Sequence, residues 1–268
     1  MKLSEKTRRA LIGKASCYFQ KKLYGLSEEV PMLDAMHRDI RDLGIEWNKI
    51  LASTQHPPKI TMDSYFIHQT PMVSYTGIQK TSIEFGDVLY LYTETDNITY
   101  KKEMSILMQA KVFKNKKVNP DQLKLYTDWP TFKFYTQNIH SANFNVVPTP
   151  QPHPGGRYLI LDDSSKNKVF ASTVTPTQGM KANRQHDNLL GYELAGLLEF
   201  SNGRELLGDW GTGIKAVENY VKLNCKPFKG TSRSQPILKA LNNGSVLNSN
   251  DPKGFWFIHI QASVPFPD

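Results

Sequence analysis

The chain has 268 residues, 39% hydrophobic and 22% charged, and this composition excludes a largely disordered protein. Its net charge of +8 favours a polyanionic partner, nucleic acid before a membrane surface, although a basic protein without such a partner has the same balance. Two cysteines, Cys17 and Cys225, are too few for a disulfide framework and predict a reducing, cytoplasmic compartment. No apolar run approaches the roughly 18 residues that span a bilayer. The basic N-terminal segment lacks the apolar core of a signal peptide, so we expect no membrane partner.

The first quarter of the chain is predicted to be mostly helical. One helix is expected over 4–24, and a second over 31–51 with a break at Gly44. Residues 53–64 are expected to form a loop, and 65–79 two short extended pieces. A basic face on the first helix, either solvated or in contact with phosphate, consists of Lys6, Arg8, Arg9, Lys14, Lys21 and Lys22.

A β-hairpin is predicted next. Residues 88–92 and 105–108 are apolar runs that suit a buried pleated sheet, and the polar segment 93–102 between them supplies the turn. Asn119, followed by a proline, then starts a short helix, and 131–136 alternates like a strand.

The second half is predicted to add strands and helices to the same domain. A Pro- and Gly-rich stretch at 148–156 is the boundary candidate, and we favour one domain with a core at about 30–136 and an elaborated part at about 157–268. Asp187 is a candidate helix N-cap. The predicted elements are strands at 157–161 and 168–172, helices at 187–200 and 209–224, and a closing strand at 255–262.

Four polar residues stand at the ends of the hairpin strands: Glu84, Asp87, Gln109 and Lys111. With a turn centred near residue 98, Asp87 lies opposite Gln109, and Gln109 and Lys111 share one face of the sheet. Ala110 then points to the other face, which leaves its carbonyl available as a ligand. Carboxylate and carbonyl oxygens are the ligands that Mg²⁺ prefers, and a nearby lysine can neutralise charge on a phosphate. The pattern indicates a site for metal-dependent phosphodiester hydrolysis.

Asp87, followed by Gln109-Ala110-Lys111 at the end of an apolar strand, resembles the PD-(D/E)xK nuclease superfamily. The resemblance covers roughly 65–136. It implies an α/β, restriction-endonuclease-like core of a helix, three strands, a helix and a strand, that is, a mixed sheet flanked by helices, with additional helices in the C-terminal half. Two residues depart from the family pattern: Gln109 stands in place of Asp or Glu, and Gly86 rather than Pro precedes Asp87.

The resemblance also implies roles for the four residues. Asp87 would be the principal ligand of Mg²⁺ or Mn²⁺, Gln109 would occupy the second ligand position, and Lys111 would be the catalytic lysine. Glu84 would be an added metal ligand or a base that positions water. We expect Gln122, on the helix after Lys111, to line the cleft.

The function implied is a metal-dependent nuclease that cleaves DNA in preference to RNA, in bacterial restriction or anti-phage defence, as a homodimer or with a protein partner. One alternative is an inactive nucleic-acid-binding module, which Gln109 favours because it removes one negative charge from the metal site. Another is a scaffold component of a larger defence complex. A purely structural hairpin, with Gln109 and Lys111 at an exposed strand end, also stays open.

Other sites have weaker support in the sequence. The histidines lack zinc-ligand spacing, and there is no G-x-S-x-G nucleophile elbow. Gly211-Thr212-Gly213 lacks the ending of a phosphate loop. Basic residues that could follow a phosphate backbone are Lys114, Lys116, Lys117 and the segment 226–233.

Overall fold

The computed structural model describes residues 1–68, 70–96, 101–112, 118–139, 142–150, 153–162, 171–175, 188–228 and 254–265. The helices are α1 Glu5–Leu23, α2 Glu29–His37, α3 Arg41–Leu51, α4 Pro120–Asp128, α5 Leu190–Leu198 and α6 Gly208–Asn224. The longer strands are β1 Lys59–Ile67, β2 Met72–Tyr75, β4 Val88–Thr95, β5 Lys101–Val112, β6 Phe132–Phe134, β8 Gly156–Leu161, β9 Ala171–Val174 and β12 Phe255–Ser263. Two-residue strands are β3 Ile83–Glu84, β7 Asn143–Phe144, β10 Asn188–Leu189 and β11 Arg204–Glu205. None of the helices in the described ranges is long and apolar enough to cross a membrane.

A mixed sheet, here called the main sheet, forms the centre of the fold in the order β1-β12-β4-β5-β8-β9-β10, with β11 beside the first part of β5. β12 runs parallel to β4 and β8 runs parallel to β5, while the other neighbours are antiparallel. The predicted closing strand thus lies inside the sheet. Its apolar run suits a strand that is buried on both faces. The main sheet joins strands from both halves of the chain.

Each face of the main sheet has its own hydrophobic core. Val88, Tyr90 and Tyr92 of β4 enter a core that α1, α2, α3 and α5 cover. Leu89 and Leu91 alternate with them and enter a second core, formed with α4, α6 and the smaller strands. The coarse prediction is confirmed: the protein is α/β, with a mixed sheet flanked by helices.

The smaller strands form a second sheet, the small sheet, in the order β3-β2-β6-β7. The predicted strand at 131–136 becomes β6, which pairs with β2 rather than extending the hairpin. The strand that lies beside β5 is β8. The strand at 131–136 therefore does not take the last-strand position of the core that the resemblance implies. Its alternating Phe132 and Phe134 pack instead on aromatic side chains of the second core, such as Phe85 at ring distances of 5.5 and 5.1 Å.

Several predicted boundaries move. The first helix is confirmed as α1, capped by the Ser4 hydroxyl, which accepts from Thr7 N at 3.1 Å. The predicted second helix is two helices that separate at 38–40, and the break at Gly44 was wrong. Gly44 lies inside α3 because the helix approaches β1 closely there: an added Cβ would lie 3.2 Å from Met62 Cγ. The loop predicted at 53–64 was also too long, because β1 begins at Lys59.

In the second half, the helix predicted at 187–200 becomes α5, and the helix at 209–224 becomes α6. The predicted cap Asp187 lies outside the described residues. Of the strand predicted at 168–172, residues 168–170 also lie outside them, and the last two residues begin β9.

Candidate functional site

The hairpin of β4 and β5 brings the predicted site residues together at one end of the main sheet. Its ladder pairs Val88 with Met108, so Asp87 and Gln109 follow as the next opposed pair, as the predicted turn centre requires. The Asp87 backbone is bound from both sides: its N–H donates to Met108 O at 2.9 Å, and its carbonyl accepts from Trp256 N at 2.9 Å. The main chain of β5 and β12 therefore fixes the position of Asp87.

The Asp87 carboxylate is almost completely buried, with 1% of the residue exposed. Its Oδ2 accepts from Ala110 N at 2.6 Å and from the Gln109 side-chain Nε2. Its Oδ1 is buried and has no hydrogen-bond partner among the described residues. Since a buried carboxylate oxygen without a partner costs free energy, this atom indicates a missing donor or cation.

The Ala110 main chain faces the same carboxylate. N–H and C=O of one strand residue point to the same side of the strand. Because Ala110 N donates to Asp87, the Ala110 carbonyl also faces the Asp87 side, while its methyl group is buried in the core under the helices. The predicted direction of the Ala110 side chain, away from the site, is confirmed.

A chain of side-chain amides leads from Asp87 to the surface. Gln122 of α4 donates through Nε2 to Gln109 Oε1 at 3.0 Å and to Glu84 Oε2 at 3.2 Å. Gln109 in turn donates to Asp87. Gln109 is 0% exposed, so the interpretation of an exposed strand end was wrong for this residue. Hydrogen bonds therefore connect Asp87, Gln109, Gln122 and Glu84 in one network.

Burial, and after it the negative charges of Glu29 and Glu84, raise the pKa of the Asp87 carboxyl from 3.8 to about 8. Lys111 and the hydrogen bond from Ala110 N act in the opposite direction and lower this pKa. Three carboxylates and one ammonium group therefore interact electrostatically at this end of the sheet. The described part of the chain contains no group of three or more His, Cys, Asp or Glu side chains arranged to hold a metal ion.

Lys111 reaches the site from the same face of β5 as Gln109. It is 8% exposed, and within the described ranges its ammonium group forms no hydrogen bond or ion pair. It lines an open cleft of about 360 Å³ together with Glu84 and Gln122. The prediction that Gln122 lines the cleft is confirmed.

Close packing explains why Gly86 precedes Asp87. A Cβ at position 86 would lie 2.8 Å from both Leu107 Cδ1 and the Tyr126 hydroxyl. That hydroxyl donates to Phe85 O at 2.9 Å and so holds the chain just before Asp87. A side chain at 86 would therefore force Leu107 or Tyr126 to shift.

Two residues near Asp87 were missed in the sequence. Glu29 lies in the first turn of α2; the Glu28-Glu29 pair marks a helix start in the sequence but does not place that helix beside Asp87. Tyr158 of β8 is opposite Gln109 on the other side of β5, and its buried hydroxyl has no partner among the described residues. Burial, and next the charge of Asp87, raise the pKa of Tyr158. No sequence signal places β8 beside β5.

Of the residues predicted to contact phosphate, some form ion pairs with acidic side chains, and others lie outside the described residues. On the basic face of α1, Arg8, Arg9, Lys14 and Lys22 form ion pairs with Glu199, Glu5, Glu46 and Asp39, respectively. These pairs reduce the positive charge that α1 could offer to a phosphate backbone. Lys114, Lys116 and Lys117, and the segment 226–233 beyond residue 228, lie outside the described residues.

The comparisons with known proteins give no relative: no family model, no curated protein and no solved structure matches the chain.

Proposed function

We propose that the protein is a Mg²⁺- or Mn²⁺-dependent nuclease that hydrolyses phosphodiester bonds, in DNA in preference to RNA. The buried Asp87 Oδ1, which has no hydrogen-bond partner in the described part of the chain, carries this proposal. It lies where two further carboxylates and the Lys111 ammonium group act on the same carboxyl. A buried carboxylate surrounded by other acidic groups is a typical environment for a hard divalent cation.

The residues present fit such a cation. Asp87 and Glu84 would hold it with carboxylate oxygens, Glu29 would add negative charge, and the Ala110 carbonyl faces the same place. Gln109 can offer its amide oxygen only after its side chain turns, since Nε2 faces Asp87. When bound, a divalent cation polarises the phosphate and lowers the pKa of water.

The side chains of the protein supply the remaining functions. The Lys111 ammonium group lies at the edge of the cleft and has no ion-pair partner among the described residues; it neutralises charge that develops on the phosphate. Glu84 is half-buried at the cleft and can accept a proton from an attacking water. Gln122 orients Glu84 through its 3.2 Å hydrogen bond.

We also propose the finer, restriction-endonuclease-like description of the fold. The elements that support it are a helix before the sheet, the antiparallel pair β4 and β5, the helix α4, and β8 parallel to β5. The restriction or anti-phage role and the homodimer or protein partner are proposals that rest on the family resemblance alone.

The inactive nucleic-acid-binding module remains the second candidate function because of one specific observation. The Gln109 amide donates a hydrogen bond to Asp87, where the family pattern has a second carboxylate facing the cation. With a carboxyl pKa of about 8, a proton can occupy Asp87 in place of a cation.

One experiment separates these functions. Plasmid and single-stranded circular DNA would be incubated with Mg²⁺ or Mn²⁺ and with the wild type, Asp87→Ala, Lys111→Ala and Lys124→Ala. Lys124 is a matched control, because it is an exposed lysine on α4 that pairs with Asp128 at 3.2 Å. We expect metal-dependent cleavage by the wild type and Lys124→Ala, and none by the other two variants. DNA binding without cleavage under all metal conditions would support the binding module instead.

A further inference from the structure

The open cleft beside the proposed active site is polar and has a defined shape. It measures about 360 Å³ and lies between the small-sheet side of the molecule and α4. Lys80, Ser82 and Glu84 line the first wall, and Lys111, Asn119 and Gln122 line the second.

Hydrogen bonds join the two walls at one end. Gln79 N donates to the Asp121 side-chain Oδ2 at 3.3 Å, and the Tyr75 hydroxyl donates to Asp121 O at 2.9 Å. Gln79 is adjacent to Lys80, and Asp121 follows Asn119 by two residues. At the other end, Gln122 of the second wall donates to Glu84 of the first at 3.2 Å. The cleft is therefore preformed, with its walls joined at the Lys80 end and at the Glu84 end.

The charges of the cleft differ between its ends. Glu84 is at the end nearest to Asp87, where it accepts from Gln122. Lys80 is exposed, and in the described part of the chain neither Lys80 nor Lys111 forms an ion pair with a carboxylate. Two unpaired ammonium groups on opposite walls suit an anionic ligand, while Ser82 and Asn119 offer polar contacts to a sugar or base.

We propose that this cleft binds one phosphate-bearing nucleotide of a single nucleic-acid strand, next to the bond that is cut. The inference rests on the proposed nuclease function and names its substrate class. A volume of about 360 Å³ is at the lower end of the roughly 300–1,000 Å³ of ligand pockets. Because hydrogen bonds join the walls at both ends, one nucleotide of one strand fits between them, and a paired second strand does not. Positively charged grooves that follow one backbone are the usual means of binding single strands.

The test measures binding without turnover. The full-length Asp87→Asn variant, kept in EDTA, would be titrated with a fluorescent single-stranded oligonucleotide and with the same sequence as a duplex, over a range of salt concentrations. Thymidine 5′-monophosphate would serve as competitor. Lys80→Ala would be added to this background, with Lys133→Ala as the matched control, since Lys133 is an exposed lysine of β6 that does not line the cleft.

We expect tighter binding of the single strand than of the duplex, and competition by the mononucleotide. Lys80→Ala should weaken single-strand binding several-fold and reduce the slope of log K against log salt by about 0.7, the value for one phosphate contact on a single strand. Lys133→Ala should leave the slope unchanged. Equal or tighter duplex binding, no competition, or identical slopes for the two lysine variants would overturn the inference.

The outcomes also separate this inference from the proposed function. Metal-dependent cleavage of duplex DNA that Lys80→Ala leaves unaffected would retain the nuclease and reject the single-nucleotide site. Single-strand binding that depends on Lys80, in a wild type that cleaves nothing, would retain the site and reject the nuclease.

Discussion

Asp87→Asn should change how the stability of the metal-free protein depends on pH. The pKa of the Asp87 carboxyl is raised from 3.8 to about 8 by burial and by neighbouring carboxylates. Between these values the folded protein binds more protons at this group than the unfolded chain does. The free energy of unfolding contributed by Asp87 therefore falls as pH rises from about 4 to about 8. An asparagine at 87 has no charge and removes this dependence.

The size of the effect follows from the two pKa values. Integrating the proton-binding difference between pH 6 and pH 8 gives a loss of about 2 kcal/mol in the wild type. For a chain of this length that corresponds to roughly 5 °C in melting temperature. His37, His153 and His259 have lowered pKa values, but they are present in both proteins and their effects cancel in the comparison.

The assay is urea unfolding of the wild type and Asp87→Asn at pH 6 and pH 8 in EDTA. The variant should gain about 2 kcal/mol relative to the wild type between the two pH values. In a parallel series at pH 8, Mn²⁺ should stabilise the wild type and leave the variant unchanged, because a ligand that binds only the folded state raises its stability. Stability curves that stay parallel across this pH range would refute the reasoning about Asp87, and equal shifts with Mn²⁺ would exclude it as a metal ligand.

Three further predictions concern Gln109 and the residues packed around Asp87. Gln109→Glu replaces the donor to Asp87 by a second carboxylate, so the melting temperature of this variant should fall in EDTA. On addition of Mn²⁺ it should rise more than that of the wild type, and an equal rise in both proteins would contradict this. Gly86→Ala should cost about 1–3 kcal/mol in urea unfolding, because its Cβ would lie 2.8 Å from Leu107 and Tyr126, and an unchanged midpoint would contradict this packing. Tyr126→Phe removes the bond to Phe85 O and should cost about 1 kcal/mol, whereas Tyr158→Phe removes a hydroxyl without a described partner and should cost nothing; equal losses would show that Tyr158 has a partner.

The hairpin was predictable because its information is local. Two apolar runs joined by a polar turn pair as antiparallel strands, and the centre of the turn determines their register. This register places Asp87 opposite Gln109. Alternation along β5 then puts Lys111 on the same face. The capping of α1 by Ser4 and the start of α4 at Asn119 are equally local.

The rest of the fold and of the candidate site depends on contacts between distant parts of the chain. Nothing in the sequence around β4 shows that β12, more than 150 residues later, lies beside it, or that β8 rather than β6 borders β5. For the same reason Glu29 and Tyr158 could not be assigned to the site from spacing. Their proximity to Asp87 results from helix packing and from parallel pairing, which local patterns do not encode.

Gln109 links Glu84 to any cation that Asp87 would hold. Its amide donates to Asp87 through Nε2 and accepts from Gln122 through Oε1. If Gln109 turned to offer its oxygen beside Asp87, its Nε2 would face the Nε2 of Gln122. Gln122 would then have to turn as well and would lose its bond to Glu84. Rotation of Gln109 and loss of the hydrogen bond from Gln122 to Glu84 are therefore coupled. A glutamate at 109 has an oxygen at both positions and would break this coupling, which is why Gln109→Glu tests the network rather than a single contact.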